Sequence, residues 1–314
     1  MLFSLFKKKI KPFNSGWLSV GEGHKIHYME VGNPCGQVVL KFHGGPGGCC
    51  RIGHAEAFNL KKYRIVLFDQ RGGGKSTFED IVLNNTPQTT LEDAEKLLKH
   101  LNVPLNDIIV SGGSYGSTLA LLFAEKHPKA IKSLILNAIF LAREKDLDWS
   151  DKESGIFYPD LMDEMKSVLK PKEELVSGFH RLMFSGNYEQ MKTAMQYYGA
   201  YERLLGSLKP SFKPVTALFD DRVNSFKVFL HYEKNKMFLK EDEILKNIHK
   251  IKHIPTLIVH NRLDMTCPIY QAYDLVKQLE NCMFKIVPDI GHWSPKLKKT
   301  MIKEISCFLE KYDN

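Results

Sequence analysis

Three short apolar runs in the first third of the chain each end abruptly in a glycine-rich turn. Residues 38–42 (VVLKF) stop at His43-Gly44-Gly45-Pro46-Gly47-Gly48, residues 63–68 stop at Asp69-Gln70-Arg71-Gly72-Gly73-Gly74, and residues 107–110 stop at Ser111-Gly112-Gly113-Ser114-Tyr115-Gly116. Runs of this kind predict buried strands, and turns at strand C-terminal ends are where open parallel α/β sheets put their ligand sites. Between the second and third runs, Leu91, Ala94, Leu97, Leu98 and Leu101 recur at helical spacing, which predicts a crossover helix capped by Thr90, with Glu92 and Asp93 in its first turn. Residues 117–127, rich in Leu and Ala and halted by Pro128, predict a second helix directly after the serine turn. Strand-like runs resume at residues 133–137, 256–260 and 283–287.

From about Phe140 to Leu245 the period becomes helical and aromatic residues multiply, with breaks at Pro159, Pro171, Gly186, Pro210 and Pro214. The pattern therefore predicts an α/β core from residues 1–139 and 246–314, a mostly parallel doubly wound sheet, with a helical cap inserted at 140–245.

Composition agrees with a folded domain: 314 residues are 43% hydrophobic and 25% charged. The net charge of +8 is concentrated near the ends, in Lys7, Lys8, Lys9, Lys11 and in Lys296, Lys298, Lys299, and reads as solvated surface. No basic stripe interleaved with aromatics is present, so no nucleic acid is expected as a partner. The opening Leu2, Phe3, Leu5 and Phe6 precede their lysines, the reverse of an export signal, and suggest at most weak surface contact rather than stable membrane insertion. Six cysteines at 35, 49, 50, 267, 282 and 307 form no C-x-x-C pair and no metal-ligand spacing, so we expect reduced thiols, no metal, no cofactor and a cytoplasmic protein.

The chemistry lies in the turns. Gly112-Gly113-Ser114-Tyr115-Gly116 fits G-x-S-x-G, the nucleophile elbow of the α/β-hydrolase fold, in which a tight strand-to-helix turn pushes a serine hydroxyl above the sheet. That hydroxyl needs a histidine to take its proton and a carboxylate to orient the histidine, in the chain order Ser, acid, His. Asp264 follows the run at 256–260 and His292 follows the run at 283–287, so both fall after strands. Asp289 competes for the acid role but shares the loop of His292, whereas His180, His231, His249, His253 and His260 lie in the cap or in or before a strand. For the oxyanion hole the expected donors are the amide of Tyr115 and that of Gly45, with Gly44 second, because Pro46 has no N–H. Asp69-Gln70-Arg71-Gly72 reads as an ion pair bracing these loops, and Cys49 and Cys50 as packing.

With these residues in view, the sequence resembles the proline iminopeptidase family of α/β-hydrolases. HGGPGG (43–48), DQRGGGKST (69–77) and GGSYGSTLAL (112–121) carry the likeness, together with Ile139-Phe140-Leu141-Ala142-Arg143, Asp148-Trp149, Asn261-Arg262-Leu263-Asp264 and Gly291-His292. The resemblance implies release of N-terminal proline from short peptides, with acidic cap residues trapping the substrate's ammonium, and we expect an aminopeptidase that releases proline or a similar small residue through an acyl-enzyme. Within Tyr198-Gly199-Ala200-Tyr201-Glu202 it assigns Glu202 to that trap, and it assigns Phe140 to an apolar wall for the proline ring. Two positions depart: Phe229 stands where a second glutamate is expected before His231-Tyr232, and Asp151 lies nearest to an expected tyrosine. An esterase or amidase with uncharged substrates is the alternative, and a non-catalytic binding module on the same scaffold is a more distant one.

Overall fold

In the computed structural model, which describes residues 10–208 and 220–312, the strands form one sheet in the order β1-β2-β4-β3-β5-β6-β7-β8. The strands are β1 (Asn14–Gly21), β2 (His24–Gly32), β3 (Gln37–Phe42), β4 (Tyr63–Phe68), β5 (Ile108–Ser114), β6 (Ile131–Ile139), β7 (Thr256–Leu263) and β8 (Cys282–Ile290). Pairing is parallel from β4 through β3, β5, β6 and β7 to β8. These central strands read as apolar runs because both faces are covered: Val39, Leu40, Ile65, Val66, Ile109 and Val110 are fully buried.

The first two strands carry no such signal. β1 pairs antiparallel with β2, and β2 antiparallel with β4. β1 is an edge strand whose positions alternate between exposed and half-buried, with only Val20 buried and Trp17 in solvent, so it lacks an apolar run to read.

The helices are α1 (Pro87–His100), α2 (Tyr115–Lys126), α3 (Glu144–Asp151), α4 (Pro159–Ser167), α5 (Leu175–Met183), α6 (Tyr188–Ser207), α7 (Asp220–Lys234), α8 (Glu243–Asn247), α9 (Tyr270–Val276) and α10 (Pro295–Tyr312). The crossover helix α1 begins a full turn before the expected Thr90. Thr86 is its N-cap, exchanging side-chain and backbone hydrogen bonds with Thr89, and Pro87 presets the first helical φ. Thr90 is instead buried inside the helix, donating its hydroxyl to the Thr86 carbonyl at 3.0 Å.

Among the described residues no strand falls between Ile139 and Thr256, and helices α4 to α7 there share their own apolar cluster around Met165, Phe179, Met195, Tyr198, Leu204 and Leu230. Two further bonds join this helical region to the loops beyond the sheet. Trp149 Nε1 donates to the Met265 carbonyl at 2.7 Å, and the His292 amide donates to the Gly206 carbonyl at 2.8 Å. Pro210, Pro214 and the leading segment with Leu2, Phe3, Leu5, Phe6, Lys7, Lys8 and Lys9 lie outside the described residues. Among the described residues no helix is long and apolar enough to cross a membrane.

Candidate active site

β5 ends on Ser114 and α2 begins on Tyr115, with no loop between them. The turn is made by the serine itself, at φ 57 and ψ −136, a left-handed conformation that costs a non-glycine residue on the order of 1–3 kcal/mol. Its neighbours must be glycine for lack of room. A Cβ on Gly112 would lie 1.9 Å from the Gly116 carbonyl oxygen, one on Gly113 2.5 Å from Asn137 Oδ1, and one on Gly116 2.5 Å from the Phe42 carbonyl oxygen. Ser114 is thus the N-cap of α2, where free amides and the helix dipole favour negative charge, and the Tyr115 N–H is the first of those amides.

The loop after β3 passes directly over this serine. A Cβ on Gly44 would lie 3.1 Å from Ser114 Cβ and 3.7 Å from its Oγ, so only glycine lets the chain approach so closely. The Gly44 carbonyl accepts from His43 Nδ1 at 2.7 Å, which turns the antiparallel Gly45 N–H of the same peptide away from His43. The loop is held from below by Gln70, whose amide donates to His43 Nε2 at 3.0 Å and whose side chain donates to the His43 carbonyl at 2.9 Å.

Asp69 and Arg71 act as braces. The buried Asp69 carboxylate accepts from the amides of Cys50 at 2.6 Å and Lys75 at 2.9 Å, tying the loops after β3 and β4 together. Arg71 grips Asp93 of α1 through one guanidinium edge, Nε and Nη2 donating at 2.7 and 2.9 Å, while Nη1 donates to Glu22 and to the Asn84 carbonyl. Cys50 is packed, and its burial pushes the thiol out of the range in which it would ionise.

The structure brings Asp264 and His292 together from turns 28 residues apart, with His292 Nδ1 at 2.8 and 3.0 Å from the two carboxylate oxygens. Asp264 is fixed by the amides of Thr266 at 3.0 Å and Cys267 at 2.9 Å. A carboxylate at Nδ1 assigns the proton to that nitrogen and leaves Nε2 as the basic one. Burial opposes the imidazolium, but the charge and hydrogen bond of Asp264, with Glu202 adding to them, carry the His292 pKa above its ordinary value. The Asp264 carboxyl is likewise resisted by burial yet held below its ordinary value by His292. Asp289 turns instead to Ser294. A second histidine, placed in a strand and set aside as the base from the sequence, also faces Asp264: the fully buried His260 accepts from the Ile139 amide at 3.2 Å, meets the Cys267 carbonyl at 2.9 Å and lies 3.8 Å from Asp264 Oδ2.

In the helical region, Phe140 follows β6, buried, its backbone held by Ser117 Oγ at 3.1 Å and Thr118 Oγ1 at 2.6 Å. Glu202 on α6 lies within electrostatic reach of His292. Burial and the neighbouring Asp151 carboxylate push its pKa up to about 8, against the pull of His292. Phe229 on α7 stacks on Phe226, with ring centres 5.9 Å apart, and leans on Tyr198. The acid absent from position 229 is nevertheless present one helical turn on. Glu233 is 8% exposed and lies near Asp151 and Glu202; burial first, and then the charges of those two acids, push its carboxyl well above the ordinary range. The signal that would have found it is the i, i+4 spacing of Phe229 and Glu233, which puts both on one face of α7.

Known proteins share this architecture. Residues 37–298 match the family model described as the alpha/beta hydrolase fold. The chain is 38% identical over 290 residues to the proline iminopeptidase of Arabidopsis thaliana, covering 90% of this chain and 76% of that protein. It is 36% identical over 295 residues to the proline iminopeptidase of Xylella fastidiosa (strain Temecula1), covering 90% and 92%. Among solved structures, a proline iminopeptidase-related protein of Thermus thermophilus superposes with a TM-score of 0.59 at 20% identity, covering 96% of this chain and 98% of that one. An esterase of Exiguobacterium antarcticum superposes with a TM-score of 0.58 at 18% identity, covering 94% and 98%. At such identities these two likenesses speak for the fold alone.

Proposed function

Because the chain belongs to the proline iminopeptidase family of α/β-hydrolases, we propose that it is a serine aminopeptidase releasing N-terminal proline from short peptides through an acyl-enzyme. The observation that carries this reading is the position of Glu202: an acid within electrostatic reach of the histidine that pairs with Asp264 gives the reacting centre a partner for an ammonium.

Ser114 attacks the carbonyl carbon of the N-terminal residue while His292 Nε2 takes the hydroxyl proton and Asp264 stabilises the imidazolium that forms. The amides of Tyr115 and Gly45 receive the oxyanion, at the positive end of α2. His292 then gives its proton to the departing peptide amine, and water, activated by the same nitrogen, hydrolyses the ester on Ser114. Glu202 pairs with the substrate's ammonium, and Phe140 and Phe229 supply apolar surface for the pyrrolidine ring. Six unpaired thiols suit a reducing compartment, and we assign the protein to the cytoplasm, acting on small peptides.

The test is release of chromophore from prolyl p-nitroanilide, and its loss in Ser114→Ala together with labelling by a fluorophosphonate. Hydrolysis of short acyl esters with none of the prolyl substrate would favour an esterase, a reading to which the stacked Phe226 and Phe229 lend an apolar wall.

A further inference from the structure

The secondary ammonium of an N-terminal proline carries two N–H donors, yet three acids group in the helical region. Asp151 closes α3 and accepts from the Tyr198 hydroxyl at 2.7 Å, Glu202 lies one turn beyond Tyr198 on α6, and Glu233 comes from α7. Glu202 Oε1 and Glu233 Oε2 are shut from solvent with no hydrogen-bond partner, and Glu233 as a whole is more than nine-tenths buried. Of the cations, His292 acts on Glu202 and Lys152 on Asp151, and Lys152 is itself exposed and paired with Asp148 at 2.7 Å. None of the described cations reaches Glu233. A buried carboxyl without a partner is costly whether or not it is ionised, and a ligand that supplies the missing donors removes that cost. Among the described residues no grouping of acids, histidines and cysteines could hold a metal ion, these three included. Separate carboxylates suit a ligand with two separate cationic groups.

We infer that Asp151 and Glu233 form a second cation-binding subsite beside Glu202, which takes the side-chain ammonium of a basic N-terminal residue such as lysine or ornithine. The inference rests on the aminopeptidase reading, in which Glu202 holds the α-ammonium. Substrates of this class are then cleaved in addition to prolyl peptides, and aliphatic diamines occupy the pocket better than monoamines of equal length.

The test compares lysyl with norleucyl p-nitroanilide, which differ by the terminal ammonium alone. The expected kcat/KM ratio is at least tenfold in favour of lysyl, falling toward one in Glu233→Gln and in Asp151→Asn, with fluorophosphonate labelling of Ser114 as the check that each variant is folded. A ratio near one in the unmodified enzyme, or a ratio unmoved by both substitutions, overturns the inference. Inhibition of p-nitrophenyl acetate hydrolysis by 1,4-diaminobutane and n-butylamine needs neither a variant nor peptidase activity. Diamine inhibition at least tenfold tighter supports the subsite even if prolyl p-nitroanilide proves not to be a substrate, and equal inhibition overturns it.

Discussion

Glu202→Gln keeps the shape of the side chain and removes its charge, so it separates two effects that the site couples. The first is on binding. Loss of a charge-assisted hydrogen bond of about 1.5–3 kcal/mol lowers kcat/KM for prolyl p-nitroanilide roughly 10- to 150-fold, since about 1.4 kcal/mol is a factor of ten. The second is on the base. Glu202 helps to raise the His292 pKa above its ordinary value, and the base acts only when neutral. Below about pH 8, however, the empty pocket holds Glu202 protonated and uncharged, so Glu202→Gln leaves the acid limb of p-nitrophenyl acetate hydrolysis close to its place while the prolyl rate falls. A third consequence follows from the acid's own pKa of about 8 in the substrate-free pocket. Below that pH the empty enzyme holds Glu202 protonated and must lose the proton to pair with an ammonium, so KM for the prolyl substrate climbs as pH falls below 8, and this climb disappears in the variant. The assay is a pair of pH–rate profiles, one for each substrate, with both enzymes. Equal losses on ester and prolyl substrates, or a KM for the prolyl substrate that does not climb below pH 8, would refute the reasoning.

Three further outcomes are expected. Arg71→Leu leaves the Asp93 carboxylate buried without its partner, the pair being 2% and 1% exposed, and lowers unfolding free energy by about 3–5 kcal/mol in urea titration, far more than a surface ion pair would. Gly116→Ala cannot be accommodated, because the new methyl would meet the Phe42 and His43 carbonyl oxygens at 2.5 and 2.7 Å; the protein should fail to accumulate folded or lose fluorophosphonate labelling, and a normally labelled, active variant would contradict the packing described. Asp264→Asn removes the charge that holds His292 in its tautomer, and kcat should drop on the order of 10⁴-fold with KM little changed, measured at saturating ester.

Much of the core was legible because parallel strands buried on both faces must be apolar throughout, and the first three such runs each stop at a glycine-rich turn. The Asp264 and His292 pairing was legible for the same reason, each residue being the first suitable side chain after a strand. The edge hairpin was not, since β1 buries only Val20 and its alternation resembles loop sequence. Thr90 misled because Pro87 and the reciprocal Thr86–Thr89 bonds set the start of α1 one turn earlier. Glu233 was missed because position 229 was weighed as a column rather than as one place on a helical face that continues to 233. His260 was dismissed as a strand residue. It is one, and its ring still bridges β6 to the turn that carries Asp264.

Two of the bonds that join the helical region to the loops beyond the sheet set a rule for anyone recombining this protein. The turn bearing the acid hangs from Trp149 through the Met265 carbonyl, and the loop bearing the base hangs from the last turn of α6 through the Gly206 carbonyl. Exchanging the 140–245 segment for that of a relative thus replaces more than the acids and aromatics it carries: it also replaces anchors of the turns that bear Asp264 and His292. Chimeras that retain an indole donor at 149 and a free carbonyl at 206 should keep ester turnover whatever amine they select, whereas those that lose either should falter in rate before they falter in specificity.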